Sequence, residues 1–225
     1  MIFEFCAENF TNVPAAIRAG ARRIELCDNL AQSGTTPSLG VTRRTVEYAH
    51  ERGARVMCMI RPRGGDFCMS EDELGIMEMD LCAACGLGVD GVVFGCTKPV
   101  ENGYKLDTSA VERLMDAVHE AEAEREGERI DVTFHMAFDA LAPEDQFDAI
   151  DYLAEQGVTR ILTHGGPVGT DIMDNLPRLR DLAAYAGDRL VILPGAGISY
   201  ANRDAIAREL GCSELHGTRI VKLGS

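Results

Sequence analysis

Short apolar runs alternate with longer stretches of helical spacing along the whole sequence. Eight runs have the length and apolar character of buried strands: 2–7, 22–27, 55–61, 91–95, 130–138, 160–164, 190–197 and 213–217. Seven stretches between them place apolar residues at helical spacing: 13–21, 41–53, 70–88, 108–127, 143–157, 176–187 and 202–211. This alternation, at roughly 30 residues per unit, predicts consecutive βαβ units and a parallel sheet.

The residues at the ends of the helical stretches support this assignment. Ser70 with Glu73 forms a capping-box pattern, and Pro143 precedes two acidic residues at the start of another helix. Glycines close four of the stretches, at positions 127, 157, 187 and 211. Helices of defined length therefore separate the predicted strands.

The parallel sheet is predicted to close into a TIM (β/α)8 barrel. An open dinucleotide-binding sheet would carry a glycine-rich turn after its first strand, whereas here that strand runs into residues 7–13 without one. Polar residues follow nearly every strand, as they do at the functional end of such barrels. Only residues 217–225 follow the last strand, so we expect the closing helix to be short or missing and a partner subunit to cover the gap.

Composition narrows the classes of function. The chain has 225 residues, 46% of them hydrophobic, which fits a single domain over 1–225. A net charge of −14 without a basic run argues against nucleic acid and anionic membranes as partners. Neither a signal peptide nor a run of ~18 apolar residues is present, so we expect a cytoplasmic protein.

The eight cysteines are too few for a disulfide framework and predict reduced thiols. Cys82 and Cys85 form the one C-x-x-C pair, and they lie in the last turns of a helix rather than at its start. We interpret both as small core residues, because reactive pairs of this kind open helices.

Charged side chains are expected to converge at the C-terminal ends of the strands. Strand alternation puts Glu4 and Cys6 on one face, and Glu25 and Cys27 on one face of the next strand. A buried carboxylate needs a partner, so we expect Arg61 to pair with both glutamates. The alternative is an internal ion-pair network with no chemical role.

Two groups of residues at this end could act on a ligand. His135, Asp139 and Glu25 are the candidates for acid–base catalysis. The expected binding residues are charged side chains and glycines of the strand ends and their loops: Glu4, Arg61, Arg63, Asp66, Gly195, Gly197 and His216. Late glycine-rich loops often hold phosphate in such barrels, although tight turning at the rim explains the glycines equally well.

Seven segments of the sequence resemble successive signature segments of the CutC family, named for copper homeostasis. These segments run from the second predicted strand to the last: 25–41, 60–67, 88–95, 133–139, 160–166, 193–198 and 214–218. The resemblance implies a barrel fold and a link to copper. Two positions depart from the family pattern, with Met136 where arginine is usual and His164 where serine is frequent.

Two functions from different classes remain open. In the first, the protein handles copper and binds Cu(I) through Cys6 and Cys27, with His135 as a further candidate, because Cu(I) prefers thiolate, thioether and imidazole ligands. In the second, it is an enzyme acting on a small anionic metabolite held by Arg61 and Arg63. An indirect link to copper is a third possibility. In each case we expect a homodimer or a higher homo-oligomer.

Overall fold

The computed structural model describes residues 1–167 and 169–224, and ten strands lie in this part of the chain. Eight of them build the main sheet and two, β5 and β6, form a separate hairpin. In chain order they are β1 (Ile2–Glu8), β2 (Arg23–Cys27), β3 (Arg55–Met59), β4 (Gly91–Phe94), β5 (Thr97–Val100), β6 (Gly103–Leu106), β7 (Asp131–Phe134), β8 (Arg160–Thr163), β9 (Val191–Pro194) and β10 (Glu214–Gly217).

Seven α-helices connect the strands of the main sheet. They are α1 (Val13–Arg18), α2 (Leu39–His50), α3 (Glu71–Gly86), α4 (Thr108–Glu124), α5 (Asp145–Glu155), α6 (Leu176–Ala186) and α7 (Arg203–Leu210). The capping box predicted at Ser70 is present, because the Ser70 hydroxyl accepts from Glu73 N–H and the Glu73 carboxylate accepts from Ser70 N–H. Each predicted helical stretch overlaps one of these helices, and α2 begins two residues before its predicted stretch.

The eight-stranded sheet has the order β10-β1-β2-β3-β4-β7-β8-β9, and every paired neighbour is parallel. β9 and β10 lie side by side, and a single bridge between Ser199 and Arg219 joins the loops that follow them. The sheet is thus a nearly closed α/β barrel, which confirms the predicted fold. The carboxyl ends of all eight strands meet at one end, the barrel mouth.

The closing helix is missing, since residues 218–224 contain no helix. Ile220 and Val221 of this final segment are nonetheless buried. Both residues belong to the main hydrophobic core. Coverage of this flank by a partner subunit stays a prediction.

Two local features differ from the sequence-based prediction. The fifth predicted strand, 130–138, ends at Phe134, because His135 caps a 3-10 helix over Met136–Ala140 through its ring nitrogen. The β5–β6 hairpin was not predicted at all. Its residues are mostly exposed, so they lack the apolar alternation that marks a half-buried strand.

The main hydrophobic core lies between the strands and the surrounding helices. A separate small cluster lies inside the barrel and contains Cys6, Cys27, Met57, Met59 and Val93. The amino ends of the strands instead hold buried charges, including Arg23, Arg160 and Glu214. Among the described residues, no helix has the length and apolar character needed to cross a membrane.

Candidate functional site

Two thiols meet inside the barrel near its mouth. Cys6 lies on β1 opposite Glu25 of β2, and Cys27 is the last residue of β2, so strand alternation turns all three side chains inward. Both cysteines are buried, and Cys27 Sγ lies 3.6 Å from Glu25 Oε2. One ligand atom from each of Cys6, Glu25 and Cys27 lies within 4.8 Å of the other two. We call these three residues the thiol cluster.

The two thiols differ in their readiness to ionise. A hydrogen bond from Cys27, helped by His216, lowers the pKa of Cys6 well below its usual value despite burial. The same hydrogen bond, together with burial, raises the pKa of Cys27. Cys6 is therefore the thiol of the pair that ionises more readily. Burial also raises the pKa of Glu25.

His216 joins the thiol cluster to a second carboxylate. Its Nδ1 lies 2.8 Å from Glu4 Oε1, and its Nε2 lies 3.7 Å from Glu25 Oε2. Burial alone would lower the pKa of His216, but attraction to Glu25 and hydrogen bonds to Cys6 and Glu4 raise it well above its usual value. The His216 imidazole thus stands between the carboxyl groups of Glu4 and Glu25 and beside the Cys6 thiol.

Glu4 is held ionised by a buried arginine. Arg23 Nε donates to Glu4, and Arg23 Nη2 donates to Glu214 Oε2 at 2.6 Å. Burial raises the pKa of Glu4, but attraction to Arg23 and hydrogen bonding to His216 outweigh it and lower the pKa to about 2. Arg160 extends this network from Glu214 to Asp131.

The expected pairing of Arg61 with Glu4 and Glu25 is wrong. The Arg61 guanidinium instead donates to three backbone oxygens, of Gln32 at 2.9 Å, Gly34 at 3.0 Å and Gly65 at 2.7 Å. The reason is position, because Arg61 lies beyond the end of β3 among the mouth loops. Arg23 lies opposite Glu4 in the β1–β2 register and is the partner that the sequence analysis missed.

Arg63 is also engaged within the protein. Its guanidinium donates to Glu73 Oε1 at 2.5 Å and to Asp66 Oδ1 at 3.1 Å. These hydrogen bonds raise the pKa of Arg63, with Glu73 as the largest cause. Arg61 and Arg63 therefore stabilise the loops of the mouth through these hydrogen bonds. A ligand anion would have to compete with the acceptors that they already contact.

The barrel mouth opens into a cavity of about 500 Å³. Seven of the predicted site residues line this cavity: Cys6, Glu25, Cys27, His135, Asp139, Gly197 and His216. Five others are outside its lining: Glu4, Arg61, Arg63, Asp66 and Gly195. Met59, Phe67, Leu162 and Ile198 supply apolar wall, and Arg219 lies at the rim. The structure thus gathers the predicted thiols and acid–base candidates around one space.

His135 and Asp139 line the same cavity but make no hydrogen bond to each other within the described ranges. His135 Nδ1 accepts from Ala137 N–H at 3.2 Å, while Asp139 accepts from the Thr163 hydroxyl and from His164 N–H. Burial, reinforced by the charge of Arg61, lowers the pKa of His135 to about 3. Burial raises the pKa of Asp139. Their catalytic roles, like that of Glu25, stay predictions.

The remaining six cysteines are outside the lining of the mouth cavity, and all eight are free thiols. Cys85 is buried in the main core, as expected, but Cys82 is exposed, so its interpretation as a core residue is wrong. The two positions point in different directions because three residues of helix span 300°. Met59 lies on the inward face of β3 and packs in the same small apolar cluster as Cys6 and Cys27. Its position on the strand could have predicted this contact.

Comparison with known proteins identifies the family. The CutC family model matches residues 1–221. A CutC family protein of Enterococcus faecalis is 53% identical over 221 residues, covering 98% of this chain and 100% of that protein. A CutC family protein of Streptococcus pyogenes serotype M6 is 41% identical, with the same coverage. The chain is an α/β barrel with a buried thiol cluster at its mouth, and it belongs to the CutC family.

Solved structures agree with this result. A Streptococcus agalactiae CutC chain, provisionally assigned to copper homeostasis, superposes with a TM-score of 0.89 at 41% identity, covering 98% of this chain and 100% of that chain. Deoxyribose phosphate aldolase from Aeropyrum pernix superposes at 0.67 with 15% identity, covering 99% of this chain and 86% of that one. That second likeness shows the fold alone. The family predicted from the sequence is confirmed.

Proposed function

We propose that this protein serves copper homeostasis by binding Cu(I) at Cys6 and Cys27. The single observation that carries the proposal is the meeting of these two buried thiols within one cluster of possible ligand atoms. Family membership supports it, since a 41% identical relative from Streptococcus agalactiae carries the copper homeostasis assignment. We place this activity in the cytoplasm.

The donor set fits a soft monovalent ion. Cu(I) favours thiolate, thioether and imidazole ligands, and low coordination numbers satisfy it. Cys6 and Cys27 supply two sulfurs, and Met59 belongs to the same inward cluster. Because a thiol binds a metal ion as the thiolate, metal binding releases the protons that these thiols carry. His135 is not part of the cluster of close ligand atoms, whereas His216 adjoins it through Glu25.

The surroundings of the thiols suit storage or transfer better than redox chemistry. Cys27 is fully buried and Cys6 is 7% exposed, so water and oxidants reach the sulfurs only through the cavity. This arrangement supports a protein that holds copper and passes it on.

The proposal is tested by titrating reduced protein with Cu(I) against a competing chelator. We expect one equivalent to bind with high affinity, and the Cys6→Ala/Cys27→Ala variant to lose that site. Cys58→Ala is the matched control, because Cys58 is an equally buried strand cysteine that packs in the main core. Zn²⁺ serves as a second competitor, since two thiols with carboxylate and imidazole could also suit zinc. Retained Cu(I) binding in the double variant, or loss in Cys58→Ala alone, refutes the assignment.

A further inference from the structure

One buried nitrogen in the cavity wall lacks a partner. His135 is 4% exposed, and its Nε2 has no hydrogen-bond partner within residues 1–167 and 169–224. Its Nδ1 accepts from the backbone N–H of Ala137, so the ring proton of the neutral imidazole must be on Nε2. His135 lines the mouth cavity. The cavity wall therefore carries an N–H donor without an acceptor, and leaving a buried donor unpaired is costly.

The imidazole is fixed in its position. The Phe67 ring lies 4.9 Å from it, centroid to centroid, and Gly95 lies against the Nδ1–Cε1 edge of the ring. A Cβ at Gly95 would lie only 2.5 Å from His135 Nδ1, so the glycine is needed for this contact. The donor therefore cannot turn to find an acceptor elsewhere, and it is pre-organised for an acceptor that enters the cavity.

A second orphan atom and an apolar wall complete the site. Glu25 Oε1 is buried and has no hydrogen-bond partner in the described part of the chain. Met59, Phe67 and Leu162 lie around the same space, whose volume of about 500 Å³ is in the range of small-molecule sites. A few polar groups set in an apolar wall are typical of sites that orient a small organic ligand.

The charges around the cavity set limits on that ligand. Glu25 and Asp139 are its acidic side chains, and His216 and Arg219 are its basic ones. Arg61 and Arg63 are outside the cavity lining, so the lining does not present the cluster of arginines that a multiply charged phosphate ester would need. A ligand of low charge with an oxygen acceptor suits this balance.

We propose that the mouth cavity binds a small organic molecule through a carbonyl or carboxylate oxygen, which accepts from His135 Nε2–H while the carbon skeleton packs on Met59, Phe67 and Leu162. The contact to His135 involves neither thiol and does not depend on metal binding. It gives the cavity a second ligand besides copper.

The test uses metal-free, reduced protein and a panel of short carboxylic acids paired with their primary amides, such as acetate with acetamide, pyruvate with pyruvamide and benzoate with benzamide. Calorimetry at millimolar ligand is expected to find at least one member that binds at a single site. Binding by both members of a pair assigns a neutral carbonyl acceptor, and binding by the acid alone assigns a carboxylate. Absence of binding by every member overturns the proposal.

Variants locate the site. His135→Phe removes the donor and keeps a buried ring, and we expect it to weaken binding by roughly tenfold or more. His119→Phe is the control, because His119 is exposed on α4. Cys6→Ala/Cys27→Ala is expected to keep ligand binding, so failure here and failure of the copper proposal remain distinguishable. Unchanged affinity in a folded His135→Phe variant overturns the proposal.

A measurement on the wild-type protein covers the case in which His135→Phe does not fold. Nitrogen-15 spectra of the histidine rings report the proton on His135 Nε2 directly. We expect this resonance to shift on addition of the bound panel member, because Nε2–H gains the ligand oxygen as its acceptor. A resonance that does not move while the ligand binds contradicts the assigned contact.

Discussion

Arg23 and Glu4 face each other on adjacent strands and form an ion pair that is almost completely shielded from water, each residue being 1% exposed. Arg23 also reaches Glu214, and Glu4 also reaches His216. The pair therefore connects the charge network at the amino ends of the strands with the thiol cluster nearer the mouth. We therefore expect substitutions at this pair to alter both the free energy of unfolding and the thiol cluster.

We expect Arg23→Met to destabilise the protein by about 3–5 kcal/mol, because it leaves two buried carboxylates without their counter-charge. Arg44→Met is the matched control. Arg44 forms an exposed pair with Glu47 at 3.7 Å, and such a pair contributes less than about 1 kcal/mol. Urea unfolding of both variants measures the difference, and equal stabilities would show that the buried pair contributes no more than a surface one.

His135 is expected to make the protein sensitive to mild acid. Its pKa is about 3 in the folded protein, against 6.5 for an ordinary histidine, so the unfolded chain takes up a proton first as the pH falls. The contribution of neutral His135 to the free energy of unfolding is fully present above about pH 6.5, and it is lost as the pH falls toward 3. Glu4, with a pKa of about 2 against 4.5, adds a further loss below pH 4.5.

The free energy of unfolding, measured from pH 7 to pH 4.5, tests this linkage. Wild type should lose up to about 1.4 kcal/mol per pH unit more than His135→Phe in this range, the value for one proton. His119→Phe, at an exposed position, should follow wild type. Parallel pH profiles for wild type and His135→Phe would mean that His135 is not held neutral.

Gly34 is predicted to leave the space that the thiol cluster needs. A Cβ at Gly34 would lie 3.2 Å from Cys27 Sγ and 3.6 Å from Met59 Cε. We therefore expect Gly34→Ala to weaken Cu(I) binding by roughly tenfold or more, since one displaced ligand costs at least as much as a hydrogen bond to a charged group.

Gly20→Ala is the control for backbone strain. Gly20 has a φ of +104°, comparable to +88° at Gly34, but a Cβ there meets nothing within 4 Å. Both variants should lose stability, while only Gly34→Ala should change the result of a chelator competition. An equal loss of affinity in the two variants would attribute the effect to stability instead of contact with the thiol.

The sequence predicts the barrel and the meeting of the thiols for the same reason. Apolar periodicity marks the eight strands, and parallel neighbours in sequence are neighbours in this fold, so alternation alone turns Cys6 and Cys27 to the inside together. The capping box at Ser70 follows from local chemistry in the same way. These features can be predicted from apolar periodicity, strand alternation and local capping patterns alone.

The partners of Arg61 and Glu4 could not be predicted from these rules. Arg61 bonds to the backbone oxygens of loops whose path depends on the whole mouth, including the left-handed residues at Gly34 and Gly65. Glu4 pairs with Arg23 because the register of β1 and β2 places the two residues opposite each other. In a shifted register, Glu4 would face a different residue. The exposed β5–β6 hairpin likewise lacks the buried face that would have marked its strands.

X-ray absorption at the copper edge tests the central claim most directly. The protein is loaded with one equivalent of Cu(I) under reducing conditions, beside the Cys6→Ala/Cys27→Ala variant. We predict a first shell with at least two sulfur ligands in wild type that is absent from the variant. A shell made of nitrogen or oxygen alone, or the same sulfur shell in the variant, would contradict the assignment of the metal to these two thiols.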